Sequence, residues 1–332
     1  MQNQEVLKLF KYLLKKYKIF GPVKESDGVI NIKQLKVATE ADYSGKIPIE
    51  SYKRFFLSEQ ESLFYFRNGR WQLSSQLTDK VALWCLNILD LQAVGLTDLI
   101  FTDDIYYQKR RKNSLLIGYS VGAPAAELDY EQFHMEKIDN ILEHIPFDIF
   151  LEKDNIDQFK IYTGSALGQR IVRAAGILFS ERIKFAGMVK EKGPDQIMLK
   201  NQKIIEQSLD DPIWLELGKT CTACGKCTAV CPTCFCFELK DQSENSKVIR
   251  TRCSSDCFQK DFARVAGDHN FLATSSEKIR FWYEHKFSRI PERYQMPGCV
   301  SCLRCHQVCP VDINIIQIWQ RLKANYQNNH HD

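Results

Sequence analysis

Near the start of the chain, apolar residues recur at helical spacing (Val6, Leu7, Phe10, Leu13 and Leu14) with lysines between them. That period predicts an amphipathic helix, which Gly21-Pro22 stops. Residues Gly28 to Leu35 read in strand fashion through Val29, Ile30 and Ile32, and Ser44 to Arg54 reads as a loop around Gly45 and Pro48. Leu63-Phe-Tyr-Phe-Arg, then Asn68-Gly69, then Arg-Trp-Gln-Leu is the strongest hairpin signal in the chain, because Asn-Gly supplies the two positive φ angles of a tight turn. Val81 to Cys85 is strand-like and runs into a helical pattern through Leu89, Val94 and Leu96, and a short strand is predicted over Leu115 to Gly118.

Further along, Tyr130 to His144 reads as a helix and Phe159 to Tyr162 as a strand. Gly164 to Gly168 is a turn that opens a long helical pattern from Ile171 to Val189, and another helix runs from Gln196 to Leu209. Mixed strands and helices predict an α/β (α+β) N-terminal docking domain. Gly193-Pro194 and Asp210-Asp211-Pro212 punctuate the chain, so this domain is set at residues 1–205 and a second at residues 206–332. The second contains a long insert, Phe235 to Pro297, whose segments Phe258 to Val265 and Glu277 to Phe287 look helical. It is therefore expected to be mostly α-helical.

Composition describes an ordinary globular chain of 332 residues, with 44% hydrophobic and 26% charged residues. A net charge of +4 without basic blocks gives no footprint for nucleic acid. The longest apolar stretch, Val81 to Phe101, is broken by Asn87, Asp90, Gln92, Thr97 and Asp98, so no membrane span is expected. The first twenty residues lack a long apolar core and a small-residue cleavage site, and read as a folded helix rather than a signal peptide. A cytoplasmic location is the expectation.

The thirteen cysteines change the picture most. Odd in number and gathered late in the chain, they do not form a disulfide framework and point to a reducing, oxygen-poor interior. Cys221, Cys224, Cys227 and Cys231, followed by Pro232, give C-x2-C-x2-C-x3-C-P, and Cys299, Cys302, Cys305 and Cys309, followed by Pro310, repeat it. This spacing is the bacterial ferredoxin arrangement for [4Fe-4S] clusters. Three thiolates two residues apart can wrap one face of a cluster. The proline biases the fourth cysteine towards an extended conformation, and in two-cluster ferredoxins that residue ligates the other cube. The ligands are assigned as Cys221, Cys224, Cys227 and Cys309 for one cluster, and Cys299, Cys302, Cys305 and Cys231 for its twin. Structural zinc is the competing reading, but it gives no reason for the third cysteine or for the repeated Cys-Pro.

Cys234, Cys236, Cys253 and Cys257 lie outside this set. They could hold a further metal, tune a cluster from nearby, or serve as small buried apolar residues. Cys85, in an apolar strand, reads as core. Lys226 and Arg304, each just before the third cysteine of its motif, are either cations beside a cluster or solvated side chains, and His306 reads as a surface or hydrogen-bonding histidine. No nucleotide-binding glycine motif is present, and Gly164-Ser-Ala-Leu-Gly168 has the wrong spacing. No catalytic residue is assigned.

Several stretches resemble the iron–sulfur β subunit of bidirectional, sulfhydrogenase-type [NiFe] hydrogenases and its relative, the iron–sulfur electron-transfer subunit of anaerobic sulfite reductase. They are Cys221 to Cys236, Asp256-Cys257-Phe258 with Asp261-Phe262, Ala266 to Phe271, His285-Lys286-Phe287, and Gly298 to Cys305 with Cys309-Pro310-Val311. Weaker likeness lies at Gly21-Pro22-Val23, Leu63-Phe64, Leu89-Asp90-Leu91 and Tyr106 to Gly118. The resemblance implies a non-catalytic subunit that relays electrons between a flavin- and NAD(P)-binding reductase-like partner, which alone carries FAD and NAD(P), and hydrogenase small and large subunits. The alternatives are electron transfer to a sirohaem sulfite reductase subunit, or a non-redox assembly protein with structural metal. Many relatives carry another cluster in the first domain. Here Leu89, Val121 and the cysteine-free stretch Gly122 to Glu127 stand in its place, so two clusters are expected.

Overall fold

The computed structural model describes residues 4–74, 78–124, 138, 140–154, 158–188, 195–244 and 247–329. The chain forms two compact units. One comprises Met1–Lys53, Thr78–Asp195 and Val300–Cys302, and the other Arg54–Leu77, Gln196–Cys299 and Leu303–Asp332.

The first unit is built on a seven-stranded mixed sheet in the order β2-β1-β5-β6-β7-β8-β9. Its strands are β1 (Lys18–Lys24), β2 (Ile30–Leu35), β5 (Val81–Leu86), β6 (Ser114–Val121), β7 (Ile149–Lys153), β8 (Phe159–Thr163) and β9 (Glu181–Arg182). The central strands β5 and β6 pair in parallel and are apolar almost throughout, as strands covered on both faces must be. Helices α1 (Gln4–Leu14) and α4 (Ala166–Ala174) supply Leu9, Leu13, Ile171 and Val172 to a core that also holds Trp84 and Ile117. Helix α2 (Ile88–Ile100) starts where the Asn87 side chain accepts the Asp90 N–H at 2.8 Å, and α3 (Ile105–Lys112) is capped by Asp104. The stretch Val300–Cys302 lies in this unit, with Val300 and Cys302 packed beside Ala93, Leu89 and Ile47.

The second unit contains an antiparallel sheet in the order β10-β11-β3-β4, formed by β3 (Gln60–Arg67), β4 (Arg70–Leu73), β10 (Phe237–Glu244) and β11 (Lys247–Ser254). The Asn68-Gly69 turn adopts φ of 51° and 73°, as the hairpin signal requires. Around the sheet run α5 (Gln196–Gln207), α6 (Ile213–Thr220), α7 (Lys226–Val230), α8 (Ser275–Glu284), α9 (Ile290–Tyr294), α10 (Arg304–Gln307) and α11 (Ile315–Asn329). A capping box between Thr274 and Glu277 starts α8, and its continuation, His285–Arg289, is a π-helical turn. Trp214, Tyr283, Phe287 and Trp319 form a chain of ring contacts through this core. Gly218 lets α6 meet α8, because a Cβ there would fall 1.9 Å from Ser276 Oγ.

Several expectations are corrected. The second unit is not mostly helical: the insert opens with β10 and β11, and the predicted hairpin, placed by the sequence in the first domain, pairs with β11. The crossing between the units falls at Asp195/Gln196 instead of 205/206, and Arg54–Leu77 joins the second unit. Phe258 to Val265 forms turns, since Asp256 accepts the Phe258 N–H and closes the chain back on itself. The helix expected from Ile171 to Val189 stops at Ala174, where Gly176 takes a left-handed φ of 76° and ends the ladder. Of the helix expected over Tyr130 to His144, residues 130–137 and 139 lie outside the described residues, and Ile141–Glu143 is one 3-10 turn. Among the described residues no helix is long and apolar enough to cross a membrane.

The Arg252–Glu61 pair locks β11 to β3. Arg252 Nε reaches Glu61 Oε1 at 2.8 Å, with both side chains buried. Truncating one partner strands a charge, so Glu61→Ala is expected to destabilise the protein by about 3–5 kcal/mol. Asp79→Ala, which removes the exposed partner of Lys18, is expected to stay within about 0.5 kcal/mol. Urea unfolding of the two variants checks the contrast.

Candidate metal centre

The two cysteine motifs fold alike. In the first, α6 ends at Cys221, whose N–H bonds the Leu217 carbonyl at 2.8 Å. Ala223 and Gly225 then take left-handed φ of 51° and 72°, and Cys227 lies on the short helix α7. In the second, Ser301 and Leu303 both take φ of 57°, and Cys305 lies on α10. Three of these four residues are not glycine, and each such conformation costs on the order of 1–3 kcal/mol. The chain holds the same strained path twice. Cys231, before Pro232, is extended at φ −68° and ψ 124°. Helices α7 and α10 pack against each other, which brings the two motifs together.

Cys221, Cys224, Cys227, Cys305 and Cys309 line one cavity. Its remaining wall is largely apolar, from Phe258, Ile279, Trp282, Tyr283, Ile313 and Ile315 among others. Cys309, the fourth cysteine of the second motif, thus faces the first three of the other. Backbone N–H groups point at two of these sulfurs: Ala223 at Cys221 Sγ, 3.4 Å, and Ile313 at Cys309 Sγ, 3.3 Å. The hydroxyl of fully buried Tyr283 and the indole N–H of Trp282 have no hydrogen-bond partner among the described residues. A cavity with soft cysteine sulfurs, N–H groups directed at sulfur and unpaired donors in its wall fits an iron–sulfur cluster, whose sulfide and thiolate sulfurs accept hydrogen bonds.

The reciprocal tie is made by Lys286. Its buried ammonium donates to Cys231 Sγ at 3.2 Å, to Thr233 Oγ1 at 2.9 Å and to the Gly298 carbonyl at 3.1 Å. Thr233 Oγ1 in turn donates to the same carbonyl at 2.7 Å. The last cysteine of the first motif is thereby held to the residue just before Cys299. Cys302 is buried among residues of the first unit.

Burial first, then neighbouring Cys231 and Cys221, pushes the Cys227 thiol up to about 12, and burial raises Cys221 as well. Metal-free thiols so placed keep their protons, so iron must displace them and loading is favoured at higher pH.

The other candidates separate. Cys85 is buried in β5, as its apolar strand implied. Cys253 sits on β11, and Cys257 is buried with its thiol raised first by burial and next by Cys236. Among the described residues no group of three or more His, Cys, Asp or Glu side chains is placed to hold a single metal ion. Lys226 is exposed at the cavity, whereas Arg304 is fully buried. His306 Nδ1 lies 3.4 Å from Asp312. Lys286 and Thr233 stood in the sequence only within the stretches that carry the resemblance, without a role, and Lys278 and Tyr283 were not singled out, since nothing in a helical Trp-Tyr-Glu-His-Lys-Phe run marks which polar side chain turns inward.

Residues 220–313 match the family model of the 4Fe-4S dicluster domain. Over 320 residues, 92% of each chain, the sequence is 24% identical to the sulfhydrogenase 2 subunit beta of Pyrococcus furiosus. No solved structure matches it. The chain is homologous to that protein and carries iron–sulfur clusters for electron transfer.

His285, stacked on Phe281 at 5.7 Å, gives a pH test of this region. Burial, then the nearby charges of Lys286 and Arg289, lowers its pKa from 6.5 to about 4. As pH falls the unfolded chain takes up the proton first. The stability contributed by neutral His285 is therefore complete above about 6.5 and is lost progressively towards about 4. The thermal midpoint is expected to drop across that window more steeply than in His285→Gln, and equal slopes would contradict the assignment.

Proposed function

We propose that this chain is the electron relay of a hydrogenase-type complex, holding two [4Fe-4S] clusters by crossed ligation. Cys221, Cys224, Cys227 and Cys309 would hold one cluster, and Cys299, Cys302, Cys305 and Cys231 its twin. The carrying observation is the cavity in which Cys309, with Cys305, joins the three cysteines of the other motif. The Lys286 bridge from Cys231 to Gly298 supports the reciprocal half. When bound, such clusters exchange one electron at a time, which couples a two-electron flavin to a one-electron metal chain.

The chain's own residues hold the sulfurs apart, present Ala223 and Ile313 N–H groups to them, and keep water out with Phe258, Ile279 and Trp282. The relative's designation as a sulfhydrogenase β subunit supports membership of a multi-subunit hydrogenase complex. The partners proposed there are a flavin- and NAD(P)-binding reductase-like subunit and the hydrogenase small and large subunits. Catalysis itself belongs to those partners.

Protein purified without oxygen is expected to contain about eight irons per chain, as two four-iron centres require. Cys309→Ser is expected to lose about half of that iron while Cys85→Ala keeps it all. Equal iron in both variants would contradict the ligand set. Subunits that copurify with the chain are expected to include one bearing nickel, and a sirohaem protein in its place would move the assignment to sulfite reduction.

A further inference from the structure

Lys286 is among the most deeply buried charges in the second unit, at 3% exposure. It lies on the π-helical turn His285–Arg289, and such turns re-aim side chains that an α-helix would carry elsewhere. Its three hydrogen bonds go to a thiol sulfur, a hydroxyl and a carbonyl, and the ring of Trp282 lies 5.4 Å from Nζ. No carboxylate pairs with it among the described residues. A buried ammonium with neutral acceptors alone is strongly unfavourable, because its charge has left water without gaining an opposite one. The atom able to supply that charge is Cys231 Sγ, once it is a thiolate bound to iron.

We infer that Lys286 is the fixed counter-charge of the cluster held through Cys231 and sets that cluster's midpoint potential above the value it would otherwise have. This rests on the two-cluster reading. Reduction adds one electron to the cluster, so its negative charge grows by one unit while no bond breaks and no proton leaves Lys286. An ammonium 3.2 Å from a ligand sulfur, in surroundings of low dielectric constant, stabilises the more negative state. Among the described residues, Cys221, Cys224, Cys227 and Cys309 have no equivalent contact. Lys278 is buried nearby, but its ammonium donates to the Phe258 carbonyl at 3.0 Å, and Lys226 is exposed. Lys286 therefore gives the cluster held through Cys231 a direct cationic contact at sulfur that its twin lacks among the described residues.

The test is a reductive titration of the full chain under anaerobic conditions, followed by EPR, for the unmutated protein, Lys286→Met and Lys286→Arg. Lys286→Met is expected to hold full iron and to shift one midpoint potential to a more negative value, leaving the other in place. Lys286→Arg is expected to restore the original separation. Should Lys286→Met lose one cluster while Lys286→Arg retains both, the need for the charge is equally supported. Full iron with both potentials unmoved, both potentials moved together, or loss of iron in both variants would overturn the inference and leave Lys286 a packing residue. Failure of the two-cluster reading would show separately, as missing iron in the unmutated protein.

Discussion

A buried ammonium must find acceptors, and Lys286 finds them on both cysteine motifs at once. Its bonds to Cys231 and to the Gly298 carbonyl join stretches of chain that the insert Phe235 to Pro297 separates in sequence. The same insert supplies the helix and the π-helical turn that carry Lys286, so the segment that parts the motifs also fastens them. Thr233 completes the lock by donating to the same carbonyl. The buried polar network thus adds to the direct packing of α7 on α10. Such a network is stable only when every member is satisfied.

Around that lock the backbone is under tension in a regular way. Ala223, Ser301 and Leu303 accept left-handed conformations that their side chains disfavour, and glycine fills only one of the four equivalent positions. Strain of this kind persists where surrounding structure over-determines it. Here the restraint comes from α6 packed on α8 through Gly218, from α7 packed on α10, and from the aromatic chain Trp214, Tyr283, Phe287 and Trp319.

Much of this was legible in the residues. Cysteine spacing and the Cys-Pro junctions pointed to a 4Fe-4S dicluster domain, which the family match over residues 220–313 supports, because metal geometry imposes its period directly on the chain. The Asn68-Gly69 hairpin, the strands at Val81 and Leu115, and Cys85 as core followed from local chemistry and apolar runs. The partner of the hairpin was not legible: β11, Lys-Val-Ile-Arg-Thr-Arg-Cys-Ser, carries too many cations to read as a strand. It is held by Arg252 pairing with Glu61, a contact 191 residues apart. The helix past Ala174 failed because one glycine, Gly176, outweighed an apolar pattern that continued beyond it. Lys286 stood in the sequence only as part of the resembling stretch His285-Lys286-Phe287, and its role was not legible, since inward or outward direction depends on a π-helical turn that no short-range signal encodes.

The central claim is crossed ligation, with each motif lending its last cysteine to the cluster of the other. An anomalous-difference map at the iron edge, from crystals of the protein grown without oxygen, tests it most directly. The account predicts two compact iron peaks, one bounded by the sulfurs of Cys221, Cys224, Cys227 and Cys309, the other by Cys299, Cys302, Cys305 and Cys231. Peaks each bounded by the four cysteines of a single motif, or lone metal ions in their place, would contradict it.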